Sequence, residues 1–198
     1  MPLADRRLLY KQIEQKRERP LIAYVTSTRG GGAGGRMASD AIAELLDQNQ
    51  EVPKNTEAVD LLVVSNGGDL TVAWRAISLL REREWKIGIM IPQVAFSAAT
   101  LLAMGADQIV MHPNGNLGPV DPQITVTKPA GEQRFGYEEL TAFLEFCRKE
   151  VGLTDQEHIR QLFVLFCKEV GTVPVGVAAR SSLLSLSMGE KLLREHMT

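Results

Sequence analysis

The chain is poor in the residues that carry metal, redox and nucleic-acid chemistry. Its 198 residues include two cysteines, three histidines and 6% aromatics. Cys147 and Cys167 stand apart, with no Cys-x-x-Cys pair and no Cys/His cluster beside either, which excludes the usual zinc and dithiol motifs. Each falls inside an apolar helical pattern, the setting of a buried reduced thiol rather than of a structural disulfide, and this usage points to the cytoplasm. Charge of one sign is equally scarce. With 22 basic against 24 acidic residues, a net charge of −2 and a pI near 6.0, no basic face is left for a phosphate backbone, and nucleic acid is not expected as a partner.

Long apolar runs are missing as well. None reaches the roughly eighteen uninterrupted residues that a spanning helix needs, and the opening Met1-Pro2-Leu3-Ala4-Asp5-Arg6-Arg7 has no apolar signal-peptide core, so no membrane anchor is expected. The glycine-rich run Arg29-Gly30-Gly31-Gly32-Ala33-Gly34-Gly35-Arg36 lacks the Gly-Lys-Ser/Thr ending of a phosphate loop and reads as a loop over a groove or an oligomer contact. The chain is read as lacking a dinucleotide fingerprint with its later acidic residue, and no cofactor is expected. No ATPase module is apparent.

What the chain does have is concentrated between residues 62 and 123. A continuously apolar strand runs into Ser65-Asn66-Gly67-Gly68-Asp69, and a second one precedes Ala95-Phe96-Ser97-Ala98-Ala99-Thr100. Acyl transfer needs a nucleophile beside backbone N–H groups that can hold a developing oxyanion. A double glycine and a serine-bearing helix start supply both. Ser97 taken alone could simply cap its helix, but set beside Gly67 and Gly68 it is the candidate nucleophile. Its neighbours Ala95, Ala98 and Ala99 are small enough to let a substrate backbone approach, and the departure from Gly-x-Ser-x-Gly argues against an α/β-hydrolase elbow. The two glycines end a strand where a helix begins, so their amides should point outward with the positive helix terminus behind them.

Around these motifs, strands and helices alternate. A charged helix over residues 5–18 stops at Pro20; strands are expected at 21–27, 59–64, 86–91 and 108–111, and helices at 40–48, 70–83 and 97–104. Short strands alternating with helices predict an α/β fold with parallel pairing, and continuously apolar strands predict a sheet covered on both faces. Residues 124–134 are polar and contain a proline, and two amphipathic helices follow at 137–151 and 154–170. Thr154-Asp155-Gln156-Glu157 and Ser187-Met188-Gly189-Glu190 both have the form of a capping box, the second opening a last helix. The chain thus reads as a single domain, with an N-terminal helix over 1–19, a core over 20–123 and a helical appendage over 137–198. Trp74 and Trp85 read as core or interface residues, and His112, His158 and His196 as surface or internally satisfied side chains.

Four stretches in order, Asn66-Gly67-Gly68-Asp69, Ser97-Ala98-Ala99-Thr100-Leu101, Ala106-Asp107-Gln108-Ile109-Val110-Met111 and Leu117-Gly118-Pro119-Val120-Asp121-Pro122-Gln123, together resemble the serine dehydrogenase proteinase family. Its relatives include signal peptide peptidase A and the Clp proteolytic subunit. The resemblance implies a Clp/crotonase-type spiral of ββα units, a serine peptidase that hydrolyses peptide bonds through an acyl-enzyme on Ser97 without ATP, and a homo-oligomer built on trimers that takes unfolded polypeptide. It implies the Gly68 and Ala98 amides as the oxyanion hole. It also implies further residues past Thr198, including a histidine-glycine stretch.

The general base is not evident from the resemblance. Aligned on Pro113-Asn114, the histidine of the Clp subunit would fall at Val120 or Asp121, and the position of the lysine in archaeal relatives shows Tyr137 and Glu138. Lys128 and Lys149 are then the lysine candidates. A catalytic lysine must be desolvated, and Lys149, between Arg148 and Glu150, reads as solvated. Asp121, bracketed by Pro119 and Pro122, either orients a base or closes a turn. Two other readings stay open: a non-catalytic oligomeric scaffold of the same fold, and crotonase-like acyl-CoA chemistry at the same oxyanion hole.

Overall fold

The structure is a computed structural model, and it describes residues 2–29, 35–128 and 131–196. Most of the glycine-rich run, residues 30–34, lies outside the described residues. So does any lid or oligomer contact expected of it. The chain divides into two compact units, Met1–Val120 with Met188–Thr198, and Asp121–Ser187.

The first unit is built on a parallel sheet. Strands β1 (Leu21–Val25), β2 (Ala58–Val64), β3 (Lys86–Ile91) and β5 (Gln108–Met111) pair in the order β1-β2-β3-β5. Helices α1 (Leu3–Arg17), α2 (Asp40–Glu51), α3 (Leu70–Arg81) and α4 (Ala98–Met104) connect and flank them. β2 and β3 are apolar at nearly every position because both of their faces are covered. Val59, Leu61, Val63, Ile87, Ile89 and Ile91 are buried with Ile77 and Leu80 of α3 and Leu101 and Leu102 of α4 in one core. Burial of this kind stabilises by roughly 1.5–3 kcal/mol for each large side chain. Trp85 lies in that core, with the Arg83 guanidinium over its ring, and Trp74 packs against it from α3.

Each main strand is followed by a short second pairing, and after β1, β2 and β3 a helix comes next. Met37 bridges to Gly68 after β1, Ser65 bridges to Ala95 after β2, and β4 (Val94–Ala95), after β3, pairs in parallel with β6 (Asn116–Leu117), after β5. The strand, short strand, helix succession is the ββα unit, and its minor ladder is what the apolar periodicity did not reveal. Two-residue strands are too short to leave a pattern.

One charge is buried in the sheet. Asp60 of β2 is 1% exposed, and α1 reaches it with Arg17, whose Nε and Nη2 donate at 2.6 and 3.2 Å, while Arg19 stands at 3.5 Å. Its register partner on β3 is Gly88, where an added Cβ would lie 2.2 Å from Asp60 Oδ1. The carboxylate therefore occupies the space that a side chain on β3 would fill. The outer edge of β1 is covered by side chains from the flanking helices, with Glu14 accepting from the Leu21 amide and Gln48 from that of Ala23.

The second unit contains an antiparallel hairpin, β7 (Ile124–Lys128) with β8 (Gly131–Phe135), followed by α5 (Tyr137–Lys149), α6 (Gln156–Val170) and the greater part of α7 (Thr172–His196). The polar 124–134 stretch gave no strand expectation, yet the hairpin forms there because β7 alternates half-buried and exposed residues. Phe143 and Phe166 stack across α5 and α6 at 6.1 Å. Cys147 and Cys167 are both free.

Two helix boundaries differ from expectation. Asp155, not Thr154, caps α6, its carboxylate accepting from the Glu157 and His158 amides; an ionised acceptor at the positive helix end outcompetes a hydroxyl. Ser187 opens no helix. α7 runs through it from Thr172, separated from α6 by Gly171 at φ 92°, and Gly189 is buried against Met104 instead of serving in a cap. No single helix among the described residues is long and apolar enough to cross a membrane.

Removing the hydrogen-bonded partner of a buried carboxylate leaves its charge poorly compensated, here with Arg19 alone at 3.5 Å. Arg17→Ala is expected to lower unfolding free energy by about 3 kcal/mol in urea titrations, whereas Arg6→Ala on the same helix should change it by less than about 0.5 kcal/mol.

Candidate active site

The Gly67-Gly68 turn and the start of α4 meet at the carboxyl ends of β2 and β3. Ser65, fully buried, donates its amide to Val94 O at 2.9 Å and accepts from the Phe96 amide at 3.0 Å, so the β4 segment is stitched to the residues before the turn. From the other side Met37 donates to Gly67 O at 2.8 Å and accepts from the Asp69 amide at 2.9 Å. Asp69 then caps α3 through its carboxylate, 2.8 Å from the Thr71 amide. Gly67 is in the left-handed region at φ 87°, and a Cβ there would lie 2.4 Å from Phe96 O, 2.8 Å from Ser97 Cβ and 3.0 Å from the Ala98 amide nitrogen. Only glycine allows so close an approach. The two motifs, some thirty residues apart in sequence, are in contact.

Ser97 is held in a strained backbone. Three described non-glycine residues have positive φ. Glu18 and Glu84 follow helices, and Glu18 has the ordinary left-handed geometry of a helix end. Ser97, at φ 51° and ψ −118°, lies outside that region altogether. Such a conformation costs on the order of 1–3 kcal/mol and persists only where the surroundings impose it. The surroundings here are specific. Thr100, in the first turn of α4, donates to Ala95 O at 2.6 Å, and Gly118 stands within hydrogen-bond reach of both Thr100 and Ala95. This clamp closes β4, α4 and the chain leaving β6 around the serine. Ser97 is half-buried, and its hydroxyl makes no capping bond to α4 and has no partner among the described residues. The capping explanation for this serine is thereby removed.

The neighbouring amides divide in use. The Gly67 N–H is bonded to Ser65 Oγ at 3.1 Å, whereas those of Gly68 and Ala98 have no acceptor among the described residues. The arrangement thus offers a hydroxyl and two backbone donors that are free among the described residues, from segments that the fold brings together.

The other candidates belong to the second unit. Lys128, at the end of β7, is paired with Glu169 of α6, whose carboxyl is held below its ordinary range by that hydrogen bond and charge. Lys149 is exposed and pairs with Glu145 on its own helix at 2.9 Å. Asp121 lies against the Cα of Gly136, where a Cβ would be 2.2 Å from its Oδ2. Gln123 donates to that oxygen at 2.8 Å, while Oδ1 is buried without a partner among the described residues. Its carboxyl is pushed up, first by desolvation and then by the charge of Glu139, with Glu138 adding to it. His112 accepts from the Asn114 amide in an exposed turn, as a surface histidine does.

Among the described residues no cluster of histidine, cysteine and carboxylate side chains could hold a metal. A Gly-x-Gly-x-x-Gly spacing is in fact present at Gly30, Gly32 and Gly35, against the expectation of none. It does not open a helix, however. Met37 forms a strand bridge and α2 begins only at Asp40, so no helix starts at Gly35, where a dinucleotide site would need its terminus. Ser65, Thr26, Met37 and the Thr100 clamp carried no site assignment in the sequence; a small hydroxyl residue two positions before the first glycine is the one signal that could have drawn attention to Ser65.

A parallel α/β sheet on which a glycine turn lies against a strained serine is an arrangement that acyl-transfer chemistry can use. Residues 3–133 match the model of the ClpP-like SDH-type serine proteinases, and the chain belongs to that family. Two uncharacterized proteins of Methanocaldococcus jannaschii are similar to it, at 35% identity over 81 residues and 43% over 67 residues, covering 41% and 33% of this chain. These stretches make up 28% and 23% of the relatives, so the chain spans about a quarter of the length of the curated proteins it matches. Among solved structures, it is similar to a variant of the 1510-N membrane-bound stomatin-specific protease at 15% identity and a TM-score of 0.47, over 65% of this chain and 59% of that one. A second variant of that protease, bound to a substrate peptide, gives 16% and 0.46 over 65% and 56%. ClpP1 of Listeria monocytogenes gives 12% and 0.41 over 75% and 82%.

Strain at Ser97 predicts an ordering of stabilities. Ser97→Gly should be more stable than Ser97→Ala by about 1 kcal/mol in thermal or urea unfolding, because only glycine relieves the backbone. For Asp121, a raised folded-state pKa means that the folded chain holds this proton more tightly than the unfolded one. Its contribution favours the fold at low pH and is lost as pH rises through the folded pKa. Asp121→Asn is therefore expected to raise the thermal midpoint near neutral pH, with no gain at about pH 3, below the ordinary aspartate range.

Proposed function

We propose that the protein is a serine peptidase in which Ser97 attacks a peptide carbonyl and the Gly68 and Ala98 amides hold the oxyanion. The observation that carries this reading is the contact of Gly67 with Phe96, Ser97 and Ala98: the turn lies against a strained serine, and the serine hydroxyl and the Gly68 and Ala98 amides have no partner among the described residues. In the reaction, Ser97 Oγ forms a bond to the carbonyl carbon and the hydroxyl proton passes to a base. The tetrahedral adduct collapses as the C–N bond breaks and the proton is delivered to the departing amine, leaving an acyl-enzyme that water hydrolyses. Preorganised amides favour the adduct over the planar carbonyl, and one such donor is typically worth about 3 kcal/mol. No ATP enters these steps.

Lys128 and Asp121 are the proposed base and its orienting partner. In this reading Lys128 takes the Ser97 proton as a neutral amine once it has left its Glu169 partner. We place the protein in the cytoplasm, where its two free thiols would stay reduced, and we read it as a homo-oligomer built on trimers acting on unfolded polypeptide. Exposed Phe146, Phe163, Leu165, Leu183 and Leu186 in the second unit support burial between copies.

The absence of a partner for the Ser97 hydroxyl among the described residues favours one rival, a scaffold of the same fold that has lost its base. A fluorophosphonate probe separates the two. Wild-type protein is expected to be labelled on Ser97, as located by peptide mass spectrometry, and Ser97→Ala is not. Lys128→Ala should cut labelling at least about a hundredfold if it is the base. Unlabelled wild-type protein would leave the scaffold reading standing.

A further inference from the structure

We infer that Ser65 is a positioning residue for the oxyanion hole, acting through the Gly67 amide and backed by Thr26. The inference rests on the reading of Ser97 as nucleophile and Gly68 as donor. A trans peptide is planar, with its N–H directed opposite to its C=O, so fixing either end aims the other. The Gly67–Gly68 peptide is fixed at its oxygen by Met37 N at 2.8 Å, which turns the Gly68 N–H away from Met37. The preceding peptide, between Asn66 and Gly67, is fixed at its nitrogen by Ser65 Oγ at 3.1 Å. These two bonds between them set the left-handed φ of Gly67.

One of the two anchors is backbone and survives substitution of Met37. The other is a single hydroxyl. Ser65 has no exposed surface, so no water is at hand to replace its oxygen. Thr26 Oγ1 donates to that oxygen at 3.0 Å, and with the Gly67 amide it fills both acceptor positions of the hydroxyl. Thr26 is itself held by its amide to Val64 O at 2.8 Å and is covered by Gly35, where a Cβ would lie 2.9 Å from Thr26 Cβ. The oxygen that aims the turn therefore has one place to be. Without it the Asn66–Gly67 peptide can rotate, and Gly68 would meet the oxyanion at a poorer angle while the substrate still binds.

The experiment measures fluorophosphonate labelling of Ser97 in the full chain, separating the limiting rate from the half-saturating probe concentration. Ser65→Ala is expected to lower the limiting rate about tenfold with half-saturation unchanged. Thr26→Val should lower it about threefold, and Ser65→Thr, which keeps the oxygen, should stay within about twofold of wild type. Thermal midpoints above the assay temperature confirm that each variant is folded. Should Ser65→Ala fail to fold, Thr26→Val carries the test with the same split. Wild-type rates in Ser65→Ala or Thr26→Val, or a loss confined to half-saturation, would overturn the positioning role and leave the peptidase reading intact. Absence of labelling in wild type would overturn both.

Discussion

A glycine turn can lie against a serine at a helix start only if no β-carbon stands between them, and the other groups of the site take their places from this approach. Gly67 brings the end of β2 to the start of α4 at distances that any side chain would violate. The minor ladder makes the approach rigid. Met37 grips the turn from one side while Ser65 joins it to β4 on the other. Remove the close contact and the serine would be an ordinary helix-start residue with water at its amides.

The strain at Ser97 is the energetic counterpart of that geometry. A positive-φ serine outside the left-handed helix-end region is unfavourable by itself, and it is tolerated because its neighbours are buried in the main core. Ala98, Ala99, Leu101 and Leu102 pack beneath it, and Thr100 ties the turn to Gly118. Their burial outweighs a strain of a few kcal/mol. The sheet can hold a carboxylate because Asp60 is covered by Arg17 at the end of α1 and Arg19 just beyond it rather than by apolar side chains alone, and its presence makes the fold of the first unit depend on that helix.

The second unit is organised differently. Its charged candidates are paired with their own neighbours, Lys128 with Glu169 and Lys149 with Glu145. Its helices carry large apolar side chains on the outside. Such a surface has the composition of an interface core. Asp121, at the start of this unit, combines an unpartnered oxygen with two nearby glutamates, a local cost that neutral pH exposes and acid relieves.

The main strands and most helices were legible from the chain because long continuous apolar runs and periodic faces record burial directly. β3 and β5 fall at the expected residues, and α1 to α6 fall within a few residues of theirs. Gly67, Gly68 and Ser97 could be named because glycine pairs and a serine at a strand end are rare local chemistry. The pairing partners of β4 and β6, the hairpin in a polar stretch and the unbroken α7 could not be. Two-residue strands leave no periodicity, and whether Ser187 caps a helix or lies within one depends on what packs against Gly189. Which amide is spent inward on Ser65 and which is left free is likewise a matter of contacts between segments distant in the chain. Residue identity set the inventory of backbone donors and hydroxyls; three-dimensional packing alone chose which of them remain unpaired among the described residues, because a hydrogen bond is decided by position and not by composition.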